Sequence, residues 1–337
     1  MPFKNKITEN VCLFVINVAK FEITYDLSGK YMKEKIARLN ELKKERNAVI
    51  LAHYYQDSVI QDVADFLGDS LALAQAAKKV EAEVILFCGV HFMAETAKIL
   101  NPTKTVVIPD MDAGCSLADS APAGPFREWV EAHPDHTVIS YINCSAEVKA
   151  LSDIICTSSN AMKIVNSLPK DQKICFAPDK YLGSYIMKQT GRPMELWNGS
   201  CQVHEMFSEL AVINLSSKHP DAEILAHPEC PENILNYADY IGSTTGILNY
   251  AIDSDKEEFI ILTEPGIIHQ LEVHAPNKKY LTVPNLNGCA CNDCPHMKLN
   301  TIDKMIAALE TLQPEIIMDE SLRLRALLPL ERMLSLS

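Results

Sequence analysis

Three cysteines, Cys115, Cys201 and Cys294, recur at similar distances along the chain, each 60 to 67 residues after the start of a repeated segment. One thiolate from each of three repeats would form a threefold metal site. Three thiolates suit zinc with a fourth ligand, or three irons of a [4Fe-4S] cluster. In the cluster case, the iron without a protein thiolate has an open coordination site and can act as a Lewis acid. The string CACNDC, which ends at Cys294, is not the ferredoxin cysteine run, so a locally wrapped electron-transfer cluster is not expected.

The repeated segments each read as a strand, a polar strand end, a helix, and a Ser/Thr-rich turn that opens a second helix. Their sequences are ILAHYYQDSVIQDVADFLGDSLALAQAA, VISYINCSAEVKALSDIICTSSNAMKIV and ILAHPECPENILNYADYIGSTTGILNYA. In each segment a strand-end residue precedes a hydroxyl residue by 17 positions, which pairs His53 with Ser70, Tyr141 with Ser158 and His227 with Thr244. The strand-end residues are 88 and 86 positions apart. The spacing predicts three related α/β units that present equivalent residues to one shared centre.

Short apolar runs alternate with helical stretches, and continuous apolar strands spaced by helices indicate parallel sheets covered on both faces. The runs are AVILAHYY, VILFCGV, TVVIP, TVISYI, KICFAP, AEILAH and FIILTEP. A helix is predicted from about Met32 into the first run. Each unit is also predicted to have a second strand that ends in an acidic residue, at Asp110, Asp179 and Glu264. The predicted fold is α/β: three homologous α/β/α sandwich units with short parallel sheets, arranged with pseudo-threefold symmetry around a central active site.

The repeat also predicts the domain organisation. A length of 337 residues corresponds to about two domains by size alone, and the repeat raises that number to three units. Some elements are expected to be exchanged between units. The predicted parts are an N-terminal extension at 1–31, unit 1 at 32–125, unit 2 at 126–212, unit 3 at 213–300 and a C-terminal helical segment at 301–337.

The polar strand ends predict a ligand site, because parallel α/β units bind ligands beyond the carboxyl ends of their strands. The strings HYYQ, YINCS and HPEC follow three such strands. The turns GDS, SSN and STT open helices, so Ser70, Ser158 and Thr244 are predicted N-cap residues. Helix N-termini bind carboxylate and phosphate groups, so three of them facing one point would suit a small substrate with several anionic groups. The alternative is that these residues are ordinary structural caps.

The other cysteines have simpler interpretations. Cys88, Cys144, Cys156 and Cys175 lie within or next to apolar strand and helix patterns and are predicted to be small buried hydrophobic residues. Cys12 lies in a weakly patterned stretch and supports no argument. Cys289 and Cys291 adjoin Cys294, and three roles remain open for them: bystanders, partners in a reversible disulfide, or aids to cluster assembly.

Composition excludes several classes of protein. The chain has 31 basic and 44 acidic side chains and a formal net charge of −13, so a nucleic-acid backbone is not an expected partner. No apolar run reaches the roughly 18 residues that cross a bilayer, and VCLFVINVA is a poor signal peptide because no small-residue cleavage site follows it. Eleven cysteines, an odd number, favour a reducing cytoplasm with metal or redox use over a disulfide framework.

These residues resemble the quinolinate synthase family, iron-sulfur enzymes of de novo NAD biosynthesis. The matching strings span about residues 45 to 300: AHYYQ, IQDVADFLGDSLALA, GVHFMAETAKIL, AGCSLADS, YINCSAEVKA, TSSNA, APDKYLG, WNGSCQVH, HPECPE, GSTTG and CPHM. The resemblance implies three α/β domains around one [4Fe-4S] cluster. It also implies a transferase that condenses iminoaspartate with dihydroxyacetone phosphate and releases phosphate and water, with functional coupling to an L-aspartate oxidase as a further expectation.

The resemblance also implies roles for individual residues. The implied cluster ligands are Cys115, Cys201 and Cys294. The implied substrate-binding residues are His53, Ser70, Tyr141, Asn143, Ser158, His227, Glu229 and Thr244. The implied catalytic residues are His53, Tyr55, His204 and Glu229. Six of the eight substrate-binding residues are those that the 17-residue spacing singles out.

A mechanistic hypothesis follows from these groups. Hydroxyls and helix N-termini bind the carboxylates and the phosphate and hold the two substrates in reactive geometry. Glu229 is expected to abstract a proton, because burial can bring the pKa of a carboxyl group toward neutrality. His53 and Tyr55 are expected to act as acid and base during isomerisation and ring closure. The open iron would polarise the hydroxyl lost in the last dehydration.

Two rival functions stay open at this stage. An iron-sulfur hydro-lyase would dehydrate one hydroxy acid with its open iron and would need no phosphate. A non-catalytic zinc or iron-sulfur protein would use the three cysteines for structure or sensing.

Overall fold

The computed structural model describes residues 16–284 and 292–337, with side chains from residue 29 onward. The predictions about Cys12, Cys289 and Cys291 therefore lie outside the described residues. None of the described helices combines the length and the apolar character needed to span a membrane. The eight described cysteines are all free thiols.

Strands and helices alternate through most of the described chain. The strands are β1 (Ala48–His53), β2 (Phe66–Gly68), β3 (Val84–Cys88), β4 (Thr105–Val107), β5 (His136–Tyr141), β6 (Ile154–Cys156), β7 (Lys173–Ala177), β8 (Glu195–Leu196), β9 (Glu223–Ala226), β10 (Tyr240–Ile241), β11 (Glu258–Leu262) and β12 (Lys279–Thr282). The helices are α1 (Ile16–Glu45), α2 (Ser58–Val63), α3 (Ser70–Lys79), α4 (His91–Leu100), α5 (Ser116–Asp119), α6 (Ala123–Glu131), α7 (Ala146–Lys149), α8 (Ala161–Ser167), α9 (Lys180–Thr190), α10 (Gln202–Glu205), α11 (Glu209–Lys218), α12 (Glu232–Leu235), α13 (Thr244–Asp253), α14 (Ile267–His274), α15 (Ile302–Thr311) and α16 (Glu320–Leu336), with a 3₁₀ turn at Met297–Leu299.

The described strands form three four-stranded sheets with the same topology. Their strand orders are β2-β1-β3-β4, β6-β5-β7-β8 and β10-β9-β11-β12, and every pairing between them is parallel. The central strands are continuously apolar because helices cover both faces. The predicted α/β class with three repeated units is confirmed, whereas the pseudo-threefold arrangement and the unit boundaries remain predictions.

The first pairing in each sheet explains the 17-residue spacing. His53 pairs with Gly68 and Tyr141 pairs with Cys156, 15 positions later in both cases. Ala226 pairs with Ile241, again 15 positions later. A residue 17 positions after the strand end therefore lies just beyond the neighbouring strand, beside the start of the next helix.

An aspartate repeats with the same period and was not identified from the sequence. Asp65, Asp153 and Asp239 each lie just before the short second strand of a unit. Their Oδ2 atoms accept hydrogen bonds from the backbone N–H groups of Ile50, Val138 and Ile224 at 2.8, 2.9 and 2.8 Å. Their own N–H groups donate to the carbonyls of the same three residues. Each aspartate therefore joins the second strand to the central strand of its sheet.

The prediction that each unit has an equivalent acidic strand end is wrong for unit 1. Asp179 and Glu264 lie two residues after β7 and β11, which pair with the central strands β5 and β9. The corresponding strand in unit 1 is β3, and the residue two positions after it is Val90. Asp110 instead follows the edge strand β4 and pairs with Lys304.

The terminal helices pack on units 1 and 2. Leu39 and Leu42 of α1 share one buried cluster with Met305 of α15 and Ile50 of β1. Leu330 of α16 belongs to a second buried cluster, which also contains residues of the first two sheets. The helix predicted from Met32 is α1, which begins earlier, at Ile16, and the C-terminal segment contains two helices.

Asp239→Ala should lower the free energy of unfolding by about 1–3 kcal/mol, because the buried N–H of Ile224 would lose its acceptor. Urea denaturation followed by circular dichroism measures the change. Asp255→Ala, at an exposed position for which no hydrogen bond is found, is the matched control and should stay within about 0.5 kcal/mol of the parent. Equal destabilisation by both changes would contradict a specific role for Asp239.

Candidate functional site

One cavity lies beyond the carboxyl ends of β1, β5 and β9. All thirteen site residues predicted from the sequence line it. They are His53, Tyr55, Ser70, Cys115, Tyr141, Asn143, Ser158, Cys201, His204, His227, Glu229, Thr244 and Cys294. The lining also includes Asp69, Thr157, Glu264 and Met297, which were not predicted to line the cavity, and none of the described lining residues is Lys or Arg.

The strand ends present histidines that remain neutral. The backbone N–H of Tyr55 donates to His53 Nδ1 at 3.1 Å, so in the neutral ring Nε2 carries the proton. Burial lowers the pKa of His53 to about 4 and the pKa of His227 to about 3. His227 Nε2 lies 3.2 Å from Ser158 Oγ. At neutral pH these rings are therefore uncharged hydrogen-bonding groups.

The prediction that Ser70, Ser158 and Thr244 cap helices is wrong. Helix α3 is capped by Asp69, which accepts from Ala72 N–H, and helix α13 is capped by Ser243, which accepts from Gly246 N–H. Helix α8 begins at Ala161, three residues after Ser158.

The preceding residues therefore provide the caps, and this leaves Ser70 and Thr244 as the first residues of their helices. Their hydroxyls, with that of Ser158, line the cavity instead. Two of these hydroxyls also have partners within the protein, since Thr244 Oγ1 lies 2.8 Å from the Tyr55 hydroxyl and Ser158 Oγ lies 3.2 Å from His227 Nε2.

A chain of polar contacts connects units 1 and 3. Glu229 Oε2 lies 2.7 Å from His204 Nδ1, and His204 Nε2 lies 2.9 Å from Thr263 Oγ1. Thr263 Oγ1 lies 2.7 Å from the Tyr55 hydroxyl, which lies 2.8 Å from Thr244 Oγ1. Thr263 was missed by the sequence analysis, although its place one residue after β11 is a strand-end position that could have suggested it.

The electrostatics of Glu229 differ from the expectation. Burial alone would raise its pKa, but His204 and a hydrogen bond from Tyr141 outweigh that effect and lower the pKa of Glu229 below its ordinary value. The expected shift toward neutrality is therefore wrong, and the carboxylate is ionised at neutral pH. Burial, together with the charge of Glu229, raises the pKa values of Tyr55 and Tyr141 well above the ordinary value, so both phenols keep their protons.

Each of the three cavity cysteines begins a short helical turn. The carbonyls of Cys115, Cys201 and Cys294 accept from the N–H groups four residues later, at 2.9, 2.9 and 3.2 Å. Backbone amides two or three residues later lower the pKa values of these thiols, but burial is the larger effect. Burial raises the pKa of Cys115 to about 12 and that of Cys201 well above its usual value. The thiols are therefore neutral by themselves, and a bound metal would have to displace their protons.

The donor set fits a metal centre. Ligand atoms of Cys201, His204 and Glu229 lie within 4.8 Å of one another. Glu229 Oε1 and Asn143 Oδ1 are buried and have no hydrogen-bond partner among the described residues. Buried polar atoms are nearly always partnered, so unpartnered atoms facing a cavity indicate that a polar ligand or a metal belongs there.

Two of the predicted strand-end acids lie beside the cysteine loops. Glu264 Oε1 accepts from Cys294 N–H at 3.3 Å and lies 3.2 Å from Lys298 Nζ. Burial raises the pKa of Glu264 to about 7. Asp179 has no exposed surface, and its Oδ1 accepts from Leu182 N–H. The other cysteines outside the cavity behave as predicted, since Cys88, Cys144, Cys156 and Cys175 are fully buried.

Comparison with known proteins places the chain in one family. The family model described as "Quinolinate synthetase A protein" matches residues 37–335. The quinolinate synthase of Rippkaea orientalis is 60% identical over 299 residues, which cover 89% of this chain and 92% of that protein. The quinolinate synthase of Synechocystis sp. is 59% identical over 305 residues, 90% of this chain and 96% of that protein. That of Chloroherpeton thalassium is 58% identical over 321 residues, 95% and 100% of the two chains.

Gly199→Ala should destabilise the protein where the loops of Cys115 and Cys201 meet. A Cβ atom at Gly199 would overlap Ser120 Oγ of unit 1 and lie 2.5 Å from the Pro178 carbonyl oxygen. Backbone must move to relieve such a contact, so a loss of about 1–3 kcal/mol is expected. Thermal unfolding measures it.

Gly124→Ala is the control, because nothing lies within 4 Å of the added atom and the residue is in helix α6. Its midpoint should be unchanged or slightly higher. A Gly199→Ala midpoint equal to the parent's would contradict the close approach.

Proposed function

The chain belongs to the quinolinate synthetase A family and forms quinolinate, and we propose that it condenses iminoaspartate with dihydroxyacetone phosphate in the cavity, with a [4Fe-4S] cluster held by Cys115, Cys201 and Cys294. The observation that carries this proposal is that one cavity contains three thiols from three separate loops together with all the predicted substrate residues. Three thiolates leave one iron of such a cluster without a protein thiolate. When bound, the cluster supplies a Lewis acid for the dehydration steps.

Neutral donors bind the anionic substrates. Both substrates carry negative charge, yet the described lining has no Lys or Arg. The hydroxyls of Ser70, Ser158 and Thr244 line the cavity, and α3 and α13 begin at two of them. The first N–H groups of a helix have no partner within the helix and carry partial positive charge, so they bind phosphate and carboxylate groups. Because these donors are neutral, the protein can bind anions without burying Lys or Arg side chains whose charge would need compensation.

The chain of polar contacts that begins at Glu229 and ends at Thr244 supplies an acid and a base. An ionised Glu229 favours the His204 tautomer with its proton on Nδ1, so Nε2 accepts from Thr263 and Thr263 accepts from Tyr55. Tyr55 can then accept a proton from the substrate as it passes its own proton to Thr263, Thr263 passes its proton to His204 Nε2, and the adjacent Glu229 carboxylate stabilises the imidazolium that forms. The reverse sequence returns the proton to the substrate.

The setting of the reaction is part of the same proposal. Iminoaspartate is the oxidation product of aspartate, so an L-aspartate oxidase is the expected source of this substrate. The free described thiols and the cysteine count favour a reducing, cytoplasmic location.

The test is an anaerobic assay with cluster quantification. Purified protein mixed with iminoaspartate and dihydroxyacetone phosphate should release phosphate and form a pyridine dicarboxylate. Absence of the pyridine product would overturn the proposed substrates. Dehydration of a single hydroxy acid without phosphate release would favour a hydro-lyase, and zinc without acid-labile sulfide would favour a mononuclear metal on Cys201, His204 and Glu229.

Changing Cys115, Cys201 or Cys294 to Ser should each abolish the iron and sulfide content, because each removes one of three thiolates. Iron and acid-labile sulfide analysis measures the loss. Cys175→Ala, which alters a buried strand cysteine, and Cys289→Ser should both retain the cluster. If Cys291→Ser alone removed the cluster, the choice of Cys294 as the third ligand would be wrong.

Thr263→Val should lower kcat by a factor of about 10²–10⁴, because it interrupts proton transfer between Tyr55 and His204. Thr263→Ser keeps the hydroxyl and should retain most activity. Steady-state kinetics with matched cluster content measures both variants. Equal rates for Val and Ser at this position would show that the hydroxyl carries no proton.

A further inference from the structure

Lys149 is a lysine with no exposed surface, and the mechanism above gives it no role. It is the last residue of the one-turn helix α7, which follows the strand end that carries Tyr141 and Asn143. Its Nζ donates to the carbonyl of Cys144 and lies 5.3 Å from the ring centroid of Phe92, a residue of the cavity wall. Burying an ammonium group is costly unless it is compensated, so this position requires an explanation.

A buried carboxylate from another unit faces the same turn. Glu95 belongs to α4 of unit 1 and is 9% exposed. Its Oε2 accepts from the backbone N–H of Ala146 at 3.1 Å. Burial raises the pKa of Glu95, and the charge of Lys149 is the largest opposing effect. His91 Nδ1 lies 3.9 Å from the same carboxylate.

Together these two side chains hold the turn on both sides. Lys149 binds the carbonyl at position 144, and Glu95 binds the N–H at position 146. On the strand side, Ile142 N–H donates to the Cys156 carbonyl at 2.8 Å. Asn143 lies between these fixed points, and its buried Oδ1 has no partner among the described residues. The backbone of Asn143 is therefore held while its side chain remains available to a ligand.

We infer that Glu95 and Lys149 are positioning residues for the substrate site, and that these two buried, oppositely charged side chains hold the turn that directs Asn143 and Tyr141 toward the carboxylate and phosphate groups of the substrates. The inference rests on the proposed function, since it assigns the pair to that same site. It also assigns a function to a contact between units 1 and 2, because each unit contributes one member of the pair.

If the two side chains only stabilised the fold, a stable variant without both charges would bind its ligands as the parent does. Replacing two buried groups of opposite charge together by neutral groups of similar size often leaves stability unchanged, whereas removing one of them leaves an uncompensated charge. The double variant Glu95→Gln/Lys149→Met removes both charges. The glutamine retains an oxygen for Ala146 N–H, and only the bond to the Cys144 carbonyl is lost.

The double variant should keep the thermal midpoint and the iron and sulfide content of the parent. Its apparent KM for dihydroxyacetone phosphate and its Kd for quinolinate, measured by anaerobic calorimetry, should both rise by about tenfold to a hundredfold, because small displacements of binding groups have effects of that size. The fall in kcat should be smaller than the rise in KM. Unchanged KM and Kd values in a stable double variant would overturn the inference.

The control is Lys188→Met/Glu232→Gln, which removes an exposed ion pair of 2.8 Å between α9 and α12 and should leave all these quantities unchanged. If the Glu95/Lys149 double variant does not fold, Lys149→Arg provides the test, since it keeps the charge but displaces the Cys144 carbonyl. A Kd increase of about threefold or more for Lys149→Arg supports the inference, and an unchanged Kd overturns it. The parent protein separates the two proposals: failure of the parent to bind or form quinolinate would count against the proposed function and not against the positioning role.

Discussion

Burial of three thiols from three separate loops around one cavity is the constraint on which the rest of the structure depends. Burial raises the pKa of the Cys115 thiol to about 12, so in the proposed centre a metal would displace the protons of thiols that three loops bring to one cavity. Contacts between units occur at these loops. Gly199 lies against Ser120, and Gln202 N–H donates to Ser116 Oγ at 3.2 Å, so the first two cysteine loops touch. On the opposite side, Gln61 of unit 1 donates to the Gly266 carbonyl of unit 3 at 2.9 Å.

The charge distribution of the cavity follows from the same burial. The proposed substrates are anionic, whereas the protein has a net charge of −13 and the described lining of the cavity contains no Lys or Arg. Hydroxyls, phenols and helix N-termini are neutral or only partly charged, so they can be buried at lower cost than ammonium groups. Neutral His53 and protonated Tyr55 belong to the same pattern, since burial shifts both pKa values toward the uncharged form. Glu229 differs, because contacts with His204 and Tyr141 lower its pKa and favour its ionised form.

The sequence predicted the parts of the fold that a long periodic signal encodes. The apolar runs correspond to β1, β3, β4, β5, β7, β9 and β11, because buried strands need continuous apolar residues. The missed strands, such as β10 with two residues, are too short for any periodicity. Asp110 was misassigned because an acidic residue after an apolar run looks the same whether the strand is central or at an edge. The predicted caps, Ser70 and Thr244, lie one residue after the observed caps, Asp69 and Ser243. Neighbouring polar residues can each fill the N-cap position, so the sequence does not distinguish them.

The sequence predicted that the site residues lie around one cavity but not how they contact one another, and the difference has a physical cause. Spacing along the chain determines which strand end a residue occupies, so His53, Tyr141 and His227 could be grouped from the sequence. Partners across units are distant in sequence: Thr263 and Tyr55 are separated by 208 positions, and Ala146 and Glu95 by 51. The repeat does not predict such pairs, because residues at equivalent positions of the three units have different functional groups. The residues two positions after the three strand ends are Tyr55, Asn143 and Glu229: a phenol, an amide and a carboxylate. Three similar units therefore form a scaffold for an asymmetric site, and contacts between units, rather than those within a unit, determine which group donates and which accepts a proton.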